Sequence, residues 1–183
     1  MLINAAVFAQ NIPETQADSA LVAAALHGDV QGIKKAVKEG AYINVQDAEG
    51  FTPLNRAAKL SYYHLVDYFV KLGADVNIPN NEKITPLHYG VEYNNVKIVK
   101  LLLENNANID ARDGIMECPL HWAGWTGNYE AAKLLLKHGA NPYTENNTGV
   151  TPIELSVRQE HKKLEKLLRR KKYKKHNKAA YQQ

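Results

Sequence analysis

Thr85-Pro86-Leu87-His88 constrains this chain more than any other stretch, because near-copies flank it at one fixed interval. The interval is 33 residues: Thr52-Pro53-Leu54-Asn55 precedes it, and Cys118-Pro119-Leu120-His121 and Thr151-Pro152-Ile153-Glu154 follow. A constant period without insertions marks a stacked array, in which each unit touches only its neighbours and length counts units. The rest of the unit keeps step. An apolar run ending in a small-residue turn follows each motif, at 68–74, 101–107 and 134–140, and upstream at 35–41. Ser19-Ala20 stands where a first unit would carry the motif, so that unit keeps the frame without it.

The motif has a physical logic. Proline in the first turn of a helix costs no hydrogen bond, because that N–H is unpaired anyway. The Thr before it can cap the helix. Small residues after it (Ala57, Ala58, Gly90, Ala123 and Gly124) let successive first helices approach closely. A second helix brings the bulk, through Leu65, Val66 and Phe69, then Ile98, Val99 and Leu102, then Ala131, Leu135 and Leu136. In the first unit, Ser19 is the expected cap of an alanine-rich helix, and a second helix from Val30 should stop at Gly40. In the last, Leu164, Leu167 and Leu168 keep an apolar stripe within a charged segment, as a terminal cap should.

Motif, period and register together resemble the ankyrin repeat, over about residues 17–170. The resemblance implies an all-α, ankyrin-repeat α-solenoid of about five helix-turn-helix units with β-hairpin loops. The units fall at about 17–46, 47–79, 80–112, 113–145 and 146–170. It makes Thr52, Pro53, Leu54, Thr85, Pro86, Leu87, His88, Pro119, Leu120, His121, Thr151 and Pro152 the structural motif. The motif His is expected to bond backbone across neighbouring units. Asn55 can do a similar job, and Glu154 departs from the pattern. Lys83 and Met116 stand where a hairpin glycine is usual, and Ser61 and Asn94 where an inter-helix glycine is usual. Positive φ is harder for Lys83 and Met116, so distorted third and fourth hairpins are expected.

The same resemblance implies a non-catalytic module that binds a partner protein through its loop tips and the concave side of its first helices. Carried onto this sequence, the tips fall at Ala48, Glu49 and Phe51, at Asn81, Glu82 and Ile84, at Gly114, Ile115, Met116 and Glu117, and at Asn147, Thr148 and Val150, with Phe51, Ile84, Ile115 and Met116 as the expected partner contacts among them. The helix positions are Lys59, Leu60, Glu92, Tyr93, Trp125 and Arg158. Trp and Tyr dominate many interfaces, so Trp125 and Tyr93, with Phe51 and Ile115, are the expected anchors, whereas Trp122 and Tyr89 are expected in the inter-unit core. Glu49, Glu82, Glu92 and Glu117 would select a basic patch on the partner.

Other chemistry has simpler explanations. His88 and His121 could form a metal pair, but backbone bonding between units accounts for both. Cys118 has His121 one helical turn away, yet a nucleophile needs an accessible base and oxyanion site, and a packed seam predicts an inert thiol. Asp47, Asp75, Asp110 and Asp113 lack the spacing of a calcium loop and are expected to shape turns. No metal, cofactor or small-molecule substrate is expected, and the expected state is a monomer.

The net charge of +4 is unevenly placed. Residues 162–183 hold ten Lys or Arg and one Glu, while residues 1–161 hold 13 basic and 18 acidic residues. The basic tail, 171–183, is a solvated extension, a nuclear import signal or a contact for phosphates. Binding of nucleic acid or anionic membrane through that tail is the alternative function. Residues 1–16 do not fit the repeat. Their apolar start ends in Val7-Phe8-Ala9, which reads as the end of a signal peptide or as a segment packing on the first unit. One cysteine fits a reducing compartment, and no apolar run approaches the ~18 residues of a membrane span. A cytoplasmic location is favoured, with secretion or a periplasmic location if residues 1–9 end a signal.

Overall fold

The computed structural model describes residues 15–170. Ten helices lie within them: α1 (Gln16–His27), α2 (Val30–Lys38), α3 (Pro53–Lys59), α4 (Tyr63–Lys71), α5 (Pro86–Glu92), α6 (Val96–Glu104), α7 (Pro119–Thr126), α8 (Tyr129–Lys137), α9 (Pro152–Arg158) and α10 (Lys162–Leu168). Consecutive helices pair as α1·α2, α3·α4, α5·α6, α7·α8 and α9·α10. The first helices then stack in the order α1, α3, α5, α7, α9, and α4, α6, α8 and α10 stack behind them. The expectations for residues 1–14 and for the basic tail at 171–183 fall outside the described residues.

The motif residues hold the seams. Leu54, Leu87 and Leu120 are fully buried, as are Ala57, Ala58 and Ala123 between the first helices. Position 55 and its equivalents stitch each unit to the next. Asn55 Nδ2 donates to the Ile84 carbonyl (3.4 Å) and the Ile78 carbonyl (3.1 Å). His88 Nε2 reaches the Glu117 carbonyl at 3.2 Å, and His121 Nε2 the Val150 carbonyl at 3.1 Å. The fifth unit has no successor among the described residues. There Glu154 turns back and accepts from the Thr151 N–H at 2.7 Å, closing a capping box.

The first unit starts earlier than Ser19 suggests. Thr15 caps α1, accepting from the Asp18 N–H at 3.0 Å while Asp18 accepts from the Thr15 N–H at 3.2 Å. That capping box adds a helical turn before Ser19, which lies inside the helix.

Among the described residues the connecting loops form no strand. Each tip is a tight turn built on one Asp or Asn. Asp47 Oδ1 accepts from the N–H groups of Glu49 (3.0 Å) and Phe51 (2.9 Å), and Asn80, Asp113 and Asn146 repeat this at their own tips. Neighbouring tips share a single backbone bond each, as in Asn81 N–H to Glu49 O at 3.1 Å and Gly114 N–H to Glu82 O at 2.9 Å. One bond per neighbour makes a row of turns rather than a sheet.

The expected distortion of the third and fourth loops does not occur. Lys83 and Met116 adopt φ of 62° and 64°, and their N–H groups close the same turn on Asn80 and Asp113 as Gly50 and Gly149 do on Asp47 and Asn146. The turn's hydrogen bonds outweigh the left-handed cost of about 1–2 kcal/mol for an L-residue. Replacing Lys83 with glycine removes that cost and adds unfolded-chain entropy of opposite sign. Lys83→Gly should therefore raise stability by about 0.5 kcal/mol in urea unfolding, with the loop unchanged.

Candidate functional site

The first helices and loop tips present one continuous side of the stack. Positions 59, 92, 125 and 158 recur at its rim as Lys59, Glu92, Trp125 and Arg158, and the next column begins Leu60, Tyr93. The following unit pins these helix ends. Asn128 Nδ2 donates to the carbonyls of Val91 (2.9 Å) and Glu92 (2.7 Å), and His161 Nε2 lies 3.0 Å from the Trp125 carbonyl. The side chains at 92 and 125 thus leave a fixed backbone.

Several large apolar groups lie open on this side. Ile115 is 52% exposed, Tyr93 49%, Met116 and Trp125 47%, and Leu60 39%. Arg158 is exposed, while Lys59 and Glu92 are half-buried. Phe51 and Ile84 do not reach the surface, at 4% and 8% exposure. The fifth residue of each tip turns inward, and exposure falls two positions earlier, at Glu49, Glu82, Ile115 and Thr148. Phe51 stacks on Tyr89 with ring centroids 5.9 Å apart, under the Arg56 guanidinium at 3.8 Å. It is therefore inter-unit core and no tip anchor, and Ile84 follows the same inward column.

Sequence reasoning did not gather the groove that lies in the middle of this side. A cleft of about 210 Å³ is lined by Glu92, Ile115, Glu117, Trp122 and Trp125, with Asp113 at its base. On the other flank of Ile115 a wider depression of about 410 Å³ runs past Glu82. Trp122 Nε1 donates to Asp113 Oδ2 at 2.9 Å, and its ring packs edge-on against His88 (5.2 Å) and Tyr89 (6.2 Å). Trp125 Nε1 donates to Glu117 Oε1 at 3.3 Å, and Asn146 Nδ2 donates to the same oxygen at 2.9 Å. Burial lifts the Glu92 carboxyl above its ordinary range against the opposing pull of Lys59. The Tyr93 hydroxyl is raised by burial and then by Glu92. The groove thus has two indoles and an isoleucine as walls, and carboxylates with the Thr126 hydroxyl as its polar groups.

The motif's titratable groups are sealed away. His88 and His121 have no exposed surface, and Cys118 is 1% exposed. The thiol lies 3.1 Å from His121 Nδ1, and burial pushes it up to about 11, which leaves it protonated at neutral pH. Among the described residues no three His, Cys, Asp or Glu side chains converge to hold a metal, and no helix is long and apolar enough to cross a membrane.

A family model of three ankyrin repeats matches residues 14–113, and a single-repeat model matches residues 117–147. The chain belongs to the ankyrin repeat family. The matches stop short of α9 and α10, which pair with each other and stack on α7 and α8. Ankyrin repeats are generally protein–protein interaction modules and typically non-catalytic. A search of curated proteins returns no match.

Proposed function

We propose that this ankyrin array is a non-catalytic binding module whose partner protein lies along the loop tips and the ends of α5 and α7. The observation that carries the reading is the pair of open apolar side chains in one groove, Trp125 and Ile115, each about half exposed beside half-buried Glu92, with exposed Met116 next in the chain to Ile115. An array needing only to stack would carry polar residues there. Aromatic anchors beside a polar rim are the usual makeup of an interface hot spot. Glu82, Glu92 and Glu117 favour a partner with a basic patch. The surface is preformed, so association orders few groups and the contacts convert efficiently into affinity.

Immobilised wild-type chain should capture its partner from the cell of origin, and Trp125→Ala/Tyr93→Ala should capture at least tenfold less, since hot-spot truncations cost about 2 kcal/mol or more each. Both side chains are about half exposed and Glu117 keeps Asn146 as a donor when Trp125 is removed, so the double variant should lose only about 1 kcal/mol in urea unfolding. Equal capture by both proteins would refute the reading.

A further inference from the structure

Position 117 breaks a column. The last residue of each tip is Phe51, Ile84, Glu117 and Val150, and all four are buried, Glu117 at 3% exposure. Three units fill this place with an apolar side chain; the fourth fills it with a carboxylate. Glu117 Oε1 takes both available donors, Trp125 Nε1 and Asn146 Nδ2, while Oε2 has no hydrogen bond or ion pair among the described residues. A buried carboxylate is costly without a cation, so its presence at an apolar position calls for a partner charge.

The second unit shows how such a tip holds a cation. Arg56 lies over the Phe51 ring at 3.8 Å, with its guanidinium 2.6 Å from Asp47 Oδ2 and 3.0 Å from Glu49 Oε2. The equivalent of Arg56 is Tyr89 in the third unit and Trp122 in the fourth. The fourth tip therefore keeps the acid of the turn, Asp113, and exchanges the internal cation for another ring. Glu92 and Glu117 add carboxylates to the same groove. Among the described residues no Lys, Arg or His side-chain nitrogen comes within 4 Å of the carboxylates of Glu82, Glu92, Asp113 or Glu117. At about 210 Å³ the groove is smaller than the ~300–1,000 Å³ of small-molecule sites and suits one long side chain.

We infer that this groove receives an arginine side chain of the partner protein, its guanidinium against Glu117 and Glu92 and its plane on an indole of Trp125 or Trp122. The inference rests on the reading of this side as the binding surface. Arginine fits better than lysine because its planar fork pairs with carboxylate oxygens, stacks on aromatic rings and is weakly hydrated.

The test is direct, because the chain's only two tryptophans both line the groove. The ¹⁵N-labelled full chain is titrated with a short acetylated peptide, Gly-Leu-Arg-Leu-Gly amide, and with counterparts carrying citrulline or lysine in place of arginine. The arginine peptide should shift both indole N–H signals saturably at millimolar or lower concentration. Citrulline, of the same shape without charge, should bind on the order of tenfold more weakly or worse, and lysine should fall between. Glu117→Gln retains an acceptor for Trp125 and Asn146 and should cost on the order of tenfold in arginine-peptide affinity; half-buried Glu92→Gln should also weaken it. Equal binding of arginine and citrulline, equal binding of arginine and lysine, no indole shift with any peptide, or unaltered binding by both variants would each overturn the inference. The binding reading fails separately. If Trp125→Ala/Tyr93→Ala loses the captured partner while Glu117→Gln and Glu92→Gln keep it, the surface is right and the arginine is wrong.

Discussion

Lowering the pH from 7 to 4 should cost the folded array on the order of 6 kcal/mol through two histidines alone. Burial drives both His88 and His121 from 6.5 down to about 4 in the folded chain. Geometry agrees with that direction. Nδ1 of each ring faces a backbone N–H, that of Thr85 at 3.2 Å and that of Cys118 at 3.1 Å, so it must accept. Nε2 then carries the single ring proton and donates to the next unit's carbonyl. Protonating Nδ1 would set two donors against each other inside a dry seam. The unfolded chain therefore binds protons that the folded chain refuses. Stability is full above about pH 6.5, falls as the unfolded histidines charge, and levels off near pH 4 where the folded ones follow. Each pKa unit is worth about 1.4 kcal/mol, which gives on the order of 3 kcal/mol per histidine. Domains are stable by only ~5–15 kcal/mol, so this loss is enough to approach unfolding. Asn55 supplies the control, since it makes the same inter-unit bond without titrating. The variant His88→Asn/His121→Asn should be somewhat less stable at pH 7 and much less sensitive to acid. Urea midpoints measured at several values between pH 7 and pH 4 check this. Parallel pH profiles for the two proteins would contradict it.

Gly124→Val should detach the fifth unit from the fourth, at a cost of about 3 kcal/mol. A Cβ at Gly124 would stand 2.7 Å from the Pro152 carbonyl oxygen and 3.1 Å from Leu155 Cβ. The first obstacle is backbone at the start of α9, which cannot turn aside as a side chain can. The branch adds two more carbons at the same seam, beside buried Leu155 and Ile153. Because units interact only with their neighbours, the damage should stay local at first. Amide hydrogens of α9 and α10 should lose protection while those of α3 to α6 keep theirs. Gly90 provides the contrast. A Cβ there would stand 3.1 and 3.2 Å from Ile98 and Val99 methyl groups and 3.5 Å from the Val99 backbone nitrogen, an ordinary contact, so no backbone atom blocks it. Gly90→Ala should therefore be much milder. Uniform loss of protection across all ten helices after Gly124→Val would mean the array folds as one block.

The period and the motif made the architecture readable before any coordinates. Proline after a capping residue fixes where each first helix starts, and a 33-residue register leaves only neighbour stacking to bury the apolar stripes. The register also lines up Asp47, Asn80, Asp113 and Asn146, two carboxylates and two amides that close the four tips, of which only Asp47 and Asp113 are expected from sequence to shape turns. Side-chain direction within the tips was not. Five-residue turns carry no hydrophobic period, so Phe51 and Ile84 read as surface contacts when the chain turns them under the helices. A signal was there: three of the four residues in that column are apolar, which marks it as inward and makes Glu117 the exception. The capping box of Thr15 and Asp18 was also written in the sequence, one turn before the place the register pointed to. The groove needed coordinates, because Glu92, Glu117 and Trp122 come from three different segments and meet only when α5 and α7 stack.

The most direct test of the binding surface is a hydrogen-exchange footprint of the full chain, alone and saturated with the protein it captures. Slowed exchange is expected at the tips around Ile115 and Met116 and at the ends of α5 and α7, with the outer faces of α4, α6 and α8 unchanged. Protection confined to those outer faces, or to residues 171–183, would contradict it.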